Sequence, residues 1–165
     1  MIIKSLDHLS KVTRQIGEKI DTSDCIFLYG EIGTGKTTFT RLLINFLQKY
    51  NKMKTTEVLS PTFNLLYEYD LRGKKIKHYD LYRLKTKYDV DQLGIFADHE
   101  ECIKVIEWPE HLDEKIVNKI SIFFNNSISC NFPITNKKRI RNSIWKIWVW
   151  IMVHSYKISL NSVIT

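Results

Sequence analysis

Residues 30–37 have the composition and spacing of a loop that binds phosphate. They read Gly-Glu-Ile-Gly-Thr-Gly-Lys-Thr, which matches the pattern G-x-x-x-x-G-K-[ST] at every fixed position. The three glycines can take backbone angles that are closed to other residues, so successive amide groups can turn towards one phosphate. In this pattern we expect the Lys36 ammonium to reach the β- and γ-phosphates of a nucleotide and the Thr37 hydroxyl to bind Mg²⁺.

The residues on either side of this loop predict the strand and the helix that a phosphate-binding loop requires. Residues 25–29 are a short apolar run of strand type that leads directly into the loop. After the loop, apolar residues recur at the spacing of one helix face, namely Phe39, Leu42, Leu43, Phe46 and Leu47. Because strand, loop and helix occur in this order, an ordinary glycine turn beside a solvated lysine is the disfavoured alternative.

Two acidic residues are placed to assist a bound nucleotide. Asp80 lies in a predicted strand over residues 76–82, where it shares one face with His78. Glu107 follows another apolar run and stands at its carboxyl end, because Pro109 cannot continue a strand ladder. Ligands of open α/β sheets bind at that end of the strands. We therefore expect both carboxylates to bind Mg²⁺ or to orient water, with an incidental surface salt bridge as the alternative for either residue alone. His78 is predicted to be a half-buried strand residue.

The remaining patterns alternate between helix and strand, which predicts an α/β fold. A first helix is expected to be capped by Ser5 or Asp7 and to carry Leu9, Val12, Ile16 and Ile20 on one face. Further along the chain we predict alternating strand positions at 63, 65, 67 and 69, a hairpin turn at 72–74, a helix over 89–97 and a last strand over 119–124.

Size and composition are those of one globular domain with reduced thiols. The chain has 165 residues, of which 44% are hydrophobic, enough to bury a single core. The three cysteines lie far apart and form no C-x-x-C pair, so neither a disulfide framework nor a zinc site is indicated. We see no signal peptide, and the longest apolar run, residues 144–153, is about half of the roughly 20 residues that span a bilayer. We therefore expect a cytoplasmic protein outside the membrane.

The positive charge is concentrated at the end of the chain. The formal net charge is +7, yet residues 1–114 carry 17 Lys and Arg against 18 Asp and Glu. Residues 115–165 carry eight basic residues and no acidic one. We predict a P-loop domain over residues 1–124 and a basic, Trp-rich tail over residues 125–165. The tryptophans of the tail are compatible with stacking on RNA bases, with an interface or with core packing.

With these residues assembled, the chain resembles the TsaE (YjeE) family, the P-loop ATPases of bacterial tRNA threonylcarbamoyladenosine (t6A) synthesis. The loop alone is generic, but further motifs follow it in order and at specific separations. They are Ser60-Pro61-Thr62-Phe63, His78-Tyr79-Asp80-Leu81-Tyr82-Arg83-Leu84, Leu93-Gly94-Ile95 and Ile106-Glu107-Trp108-Pro109. Together with the loop, these motifs cover roughly residues 5–112.

The resemblance implies a P-loop NTPase-like, three-layer fold with a mixed, largely parallel central sheet and flanking helices. It implies that ATP is bound by His8, Ser10, Gly30, Gly33, Thr34, Gly35, Lys36, Thr37, Thr38 and Thr62. It implies that Thr37 and Glu107 hold Mg²⁺ and that residues 60–62 form a switch segment. From the residues alone, a simple turn at 60–62 is the favoured interpretation. Lys36, Asp80 and Glu107 are the predicted catalytic residues.

The resemblance also implies partners. Family members associate with the TsaD and TsaB proteins, which transfer the threonylcarbamoyl group to an adenosine of tRNA. We expect this chain to be the Mg²⁺-dependent ATPase of that complex and to meet tRNA through its partners. Hydrolysis alone is expected to be slow, because no arginine finger can be named.

Three other functions and one rival motif stay open on sequence grounds. The functions are a small-molecule kinase on the same fold, a nucleotide-dependent binding switch without turnover, and an RNA-binding module driven by the basic tail. Residues 86–89 match a guanine-reading pattern, [TN]-K-x-D, but they do not end an apolar strand. Chance is the better explanation of that match.

Overall fold

The structure, a computed structural model, describes residues 2–3, 5–97, 101–112, 119–124 and 152–153. In chain order its elements are β1 (Ile2–Ile3), α1 (Leu6–Gly17), β2 (Cys25–Tyr29), α2 (Lys36–Tyr50), β3 (Leu66–Leu71), β4 (Lys74–Asp80), α3 (Lys87–Asp91), β5 (Cys102–Glu107), β6 (Lys119–Phe123) and β7 (Met152–Val153). None of the helices in the described part of the chain combines the length and apolar character needed to cross a bilayer.

Five of the strands form one mixed sheet. The strand order is β3-β4-β5-β2-β6, in which β3 is antiparallel to β4 and the other neighbouring pairs are parallel. β1 and β7 form a separate parallel pair. The predicted α/β fold with a mixed, largely parallel sheet is confirmed. The proposed tail, apart from β7, lies outside the described residues, so the division into domain and tail stays a prediction.

Helices flank both faces of the sheet, which gives the predicted three layers. Successive strand residues point to opposite faces, so Ile26 and Phe27 of β2 belong to different halves of the core. On one face α1 and α2 cover the sheet, with Phe39 and Leu43 fully buried beside Ile26. On the other face Val90 of α3 packs in the cluster that contains Phe27.

α1 and α2 lie side by side and begin where the sequence predicts. Ser5 caps α1, because its Oγ accepts a hydrogen bond of 3.1 Å from the His8 amide. The two helices meet closely at Gly17, where an added Cβ would lie 2.5 Å from the Phe46 ring. A side chain at position 17 would force the Phe46 ring to shift, so the absence of one at Gly17 permits this close approach of the two helices.

β3 begins later than the alternating apolar residues predict. Leu65 has a φ of +64°, a left-handed conformation that interrupts extended backbone, and β3 starts at the next residue. Phe63 therefore lies outside the strand, with 82% of its surface exposed. The hairpin turn lies where predicted, because Arg72 and Gly73 both take left-handed angles, with φ of +52° and +84°.

The helix predicted over residues 89–97 begins earlier and is shorter, with five residues. Thr86 and Asp89 form a capping box, in which each side chain accepts a hydrogen bond of 3.1 Å from the other residue's amide. Gly94, at a φ of +57°, turns the chain after the helix has ended. Residues 86–89 are therefore a helix cap, which agrees with a chance match to the guanine-reading pattern.

The end of β6 supports the loop that follows β2. The Phe124 amide donates a hydrogen bond of 2.8 Å to the Tyr29 carbonyl, and the rings of Tyr29 and Phe123 stack with centroids 4.5 Å apart. Gly30 passes directly beside this strand end with a φ of +134°. A Cβ at that position would lie 2.1 Å from the Phe124 carbonyl oxygen.

Replacing Gly30 by alanine is expected to destabilise the fold more than the same replacement at Gly33. Both residues have positive φ, +134° and +81°, so each alanine introduces about 1–2 kcal/mol of left-handed strain. Among the described residues nothing lies within 4 Å of a Cβ at Gly33, whereas a Cβ at Gly30 would meet Phe124. Gly30→Ala is therefore expected to lower the free energy of unfolding by about 1–3 kcal/mol more than Gly33→Ala. Denaturant unfolding measures both losses, and equal losses would contradict the packing described.

Candidate functional site

The phosphate loop connects β2 to α2 at the carboxyl end of the parallel strands. Its turns use positive φ at Gly30, Gly33 and Gly35. Gly35 is the N-cap residue of α2 and offers no side chain to the amides of the first turn. These amides carry the partial positive charge of a helix N-terminus, which suits an anion.

Lys36 is folded back into the loop. Its Nζ donates hydrogen bonds of 2.6 Å and 2.9 Å to the carbonyl oxygens of Gly30 and Glu31, and it lies 4.0 Å from the centre of the Trp108 ring. Burial lowers the pKa of Lys36, while the negative charges of Glu107 and other nearby carboxylates act in the opposite direction. The ammonium is thus held close to where a loop-bound phosphate would lie.

The Glu107 carboxylate lies between a hydroxyl and an imidazole. Its Oε2 accepts a hydrogen bond of 2.9 Å from Thr37 Oγ1. Its Oε1 lies 2.9 Å from Nε2 of His78. Both Glu107 and His78 are buried, with 2% and 0% of their surfaces exposed. Each carboxylate oxygen therefore has its own partner.

Asp80 connects the predicted switch segment to β4. Its Oδ2 accepts hydrogen bonds of 2.5 Å from Thr62 and 3.4 Å from Ser60. Its Oδ1 accepts a hydrogen bond of 3.0 Å from the Tyr82 amide. Asp80 is only 3% exposed, so these bonds replace the water that a carboxylate would otherwise hold.

Strand register brings the two acidic residues to one edge of the sheet. β4 and β5 are parallel neighbours and pair Asp80 with Glu107. His78 lies on the same face of β4 as Asp80, because side chains alternate with period two. At the end of β5, Trp108 takes a φ of +59°, and its amide donates a hydrogen bond of 3.1 Å to the Leu28 carbonyl of β2. Phosphate loop and carboxylates therefore share one edge.

A cleft of about 340 Å³ lies at this edge, within the size range of small-molecule sites. Its lining consists of Ile32, Gly33, Gly35, Lys36, Thr37, Thr38, Ser60, Thr62, Asp80, Tyr82, Glu107 and Trp108. Eight of these are predicted site residues, namely Gly33, Gly35, Lys36, Thr37, Thr38, Thr62, Asp80 and Glu107. The structure thus brings together most of the predicted site.

Four predicted nucleotide contacts are not in the lining. Gly30 lies at the base of the loop, beside Phe124. Thr34 turns its hydroxyl back to the Glu31 carbonyl, at 2.8 Å. His8 and Ser10 lie on α1, half-buried and exposed respectively. Their contact with a nucleotide stays a prediction.

Sequence reasoning missed four residues of the site. Ile32, Tyr82 and Trp108 line the cleft without a predicted role, although Trp108 directly follows Glu107 and Tyr82 lies two residues after Asp80. The ring centroids of Tyr82 and Trp108 lie 4.9 Å apart. His78 is fully buried rather than half-buried and contacts Glu107. Its shared strand face with Asp80 was the signal for that placement.

The oxygen donors of the cleft fit Mg²⁺. This ion keeps several water ligands and is usually bound through one or two carboxylates and substrate phosphates. Thr37 Oγ1 and Glu107 Oε2, 2.9 Å apart, can provide two such oxygens. Within the described residues no group of three or more His, Cys, Asp and Glu is arranged to hold a metal. The site therefore suits a cation that arrives with water and phosphate ligands.

Comparisons with known proteins identify the family. The family model described as "Threonylcarbamoyl adenosine biosynthesis protein TsaE" matches residues 3–139. The "tRNA threonylcarbamoyladenosine biosynthesis protein TsaE" of Rickettsia conorii is 33% identical over 141 residues, which cover 82% of this chain and 78% of the relative. The protein of the same name from Aquifex aeolicus is 34% identical over 110 residues, which cover 67% of this chain and 76% of the relative.

A solved structure shows the same fold. The crystal structure of Bacillus subtilus YdiB superposes with a TM-score of 0.57 and 21% identity, over 76% of this chain and 74% of that one. The family model covers most of the chain, and relatives from distant bacteria agree with it. The chain therefore belongs to the TsaE family.

Proposed function

We propose that this chain binds and hydrolyses ATP as the ATPase subunit of the machinery that makes t6A in tRNA, together with TsaD and TsaB. The observation that carries the proposal is the contact between Thr37 of the phosphate loop and Glu107 of β5, with Asp80 in the neighbouring strand position. The family is named for tRNA threonylcarbamoyladenosine biosynthesis, which supports the pathway.

The phosphates of ATP are proposed to bind to the loop amides and to Lys36. An ammonium has three N–H donors, and two of those of Lys36 are used by the carbonyls of Gly30 and Glu31. The third donor is proposed to contact a phosphate oxygen. Because the ammonium is already held by the loop, little side-chain entropy is lost when the nucleotide binds.

Thr37 and Glu107 are proposed to hold Mg²⁺ beside the phosphates. When bound, Mg²⁺ would neutralise charge on the phosphate oxygens and orient them for transfer. The two side chains now satisfy each other through one hydrogen bond. Both are therefore kept at the cleft wall until ligands replace that bond.

Asp80 is proposed to orient the water that attacks the terminal phosphate. Its carboxylate lines the cleft, and the hydroxyl of Thr62 and the amide of Tyr82 hold it from two sides. Movement of the switch segment, residues 60–62, would release Oδ2 of Asp80. That oxygen would then accept a hydrogen bond from water and, during attack, its proton.

Partners are proposed to complete the site. Among the described residues no arginine lines the cleft, so the positive charge that accelerates phosphoryl transfer in many P-loop proteins would come from another subunit. Ile32, in the lining, and Phe63, next to Thr62, expose 66% and 82% of their surfaces. Exposed apolar residues around a cleft suit a face that another protein covers.

Lys36→Ala is expected to weaken ATP binding by roughly ten- to a hundredfold, because a hydrogen bond to a charged group contributes about 1.5–3 kcal/mol. Titration calorimetry with Mg²⁺ and ATP measures this loss. Lys11→Ala is the matched control, since Lys11 makes an exposed pair with Asp7 on α1. Equal affinity in both variants and in the unaltered chain would overturn the proposed site.

Asp80→Asn is expected to bind ATP nearly as before and to hydrolyse it more slowly, by a factor on the order of 10²–10⁴, because an amide does not accept the proton of water. Single-turnover release of phosphate measures this rate, with Asp91→Asn, exposed on α3, as the control. Hydrolysis at the unaltered rate would remove Asp80 from this role. Transfer of phosphate to a metabolite instead of water would favour a small-molecule kinase.

Modification of tRNA by TsaD and TsaB is expected to require this chain and ATP. The measurement is the yield of t6A in a reconstituted mixture with the unaltered chain, with Lys36→Ala and with Lys11→Ala. We expect Lys11→Ala to support the full yield and Lys36→Ala to lose most of it, because the phosphate contact is missing. The same yield without the chain would contradict the proposed function.

A further inference from the structure

We propose that His78 is a positioning residue that fixes the Glu107 carboxylate for Mg²⁺. The inference rests on the proposed function and adds a residue to it. His78 does not line the cleft, so its effect on a bound ligand must pass through Glu107. Its role follows from one buried contact with Glu107 and from the two atoms that take no part in this contact, Nδ1 of His78 and Oε2 of Glu107.

The contact is short and shielded from solvent. His78 Nε2 lies 2.9 Å from Glu107 Oε1, and the two side chains are 0% and 2% exposed. The residues lie on neighbouring parallel strands, where β4 pairs His78 with Val105 and Asp80 with Glu107. Both strands are part of the central sheet, so the histidine approaches Glu107 from a rigid support.

The second ring nitrogen of His78 indicates which nitrogen carries the proton. Nδ1 of His78 is buried and has no hydrogen-bond partner among the described residues. A neutral imidazole has one N–H, and the contact with the carboxylate places it on Nε2. A proton on Nδ1 would be a buried donor without an acceptor. Within the part of the chain that the structure describes, the hydrogen bond to Glu107 is therefore the only one that this buried ring makes.

That hydrogen bond leaves the two oxygens of the Glu107 carboxylate with different partners. Oε1 is held by His78, while Oε2 faces Thr37, whose hydroxyl lies 2.9 Å away. The last torsion of a glutamate side chain is broad and has no strong preference of its own. A donor on Oε1 therefore selects the rotation that presents Oε2 to the proposed metal position. Replacing such an outer partner typically lowers metal affinity by about 10–100-fold.

Three variants of His78 test this role. His78→Gln carries an amide N–H that can reach the position of Nε2, whereas the amide of His78→Asn is one methylene shorter. His78→Leu fills similar space without a donor. The measurement is ATP affinity by calorimetry at increasing Mg²⁺ concentration and again in EDTA, so the Mg²⁺ dependence of binding is obtained without relying on turnover. Thermal unfolding of each variant reports its stability separately.

We expect His78→Gln to keep most of the Mg²⁺ dependence and His78→Asn and His78→Leu to weaken Mg²⁺ by about 10–100-fold. ATP affinity in EDTA should be the same in all of them. If His78→Leu does not fold, the comparison of the Gln and Asn variants decides alone. Folded Asn or Leu variants with the Mg²⁺ dependence of the unaltered chain would overturn the inference and show a merely structural histidine. Mg²⁺-independent ATP binding by the unaltered chain would instead overturn the proposed metal site.

Discussion

The hydrogen bond between Thr37 and Glu107 joins the phosphate loop to the edge of the sheet, and the rest of the site is arranged around it. Thr37 is in the first turn of α2, and Glu107 ends β5, 70 positions further along the chain. They meet because β2 and β5 are parallel neighbours in which Leu28 pairs with Glu107. The first turn of α2, which follows the loop, therefore lies beside the end of β5. Any shift in that register would separate the loop from its carboxylate.

Burial raises the free-energy cost of the charged groups in this arrangement. Lys36, Asp80 and Glu107 are 5%, 3% and 2% exposed, and a buried charge without partners costs several kcal/mol. Each of the three is stabilised by short hydrogen bonds to groups on rigid elements or on the loop. The same bonds hold the polar groups in place before any ligand arrives. The bonds that the proposed ligands do not replace, those of Lys36 to the loop carbonyls, reduce the reorganisation that binding would require.

Several features of this site could be predicted from residue types alone, and the predictions that were wrong have physical causes. The loop, its strand and its helix were predicted correctly, because glycine spacing and apolar periodicity act over a few residues. The start of β3 was wrong, because Leu65 adopts a left-handed angle that its residue type does not suggest. The bounds of α3 were wrong, because the capping box at Thr86 starts the helix early and Gly94, with a φ of +57°, turns the chain after the helix has ended. His78 was underrated, because its partner lies 29 positions away on another strand.

The printed sequence thus specifies the local requirements of the fold: a glycine-rich turn between strand and helix, and acidic residues at the ends of two apolar runs. It does not specify which strands are neighbours. The pairing of Asp80 with Glu107, the reach of His78 to Glu107 and the closeness of Thr37 all depend on the order β4-β5-β2. Strand order is set by the burial of both sheet faces and by hydrogen bonds between distant segments. These interactions exist only once the whole sheet has formed.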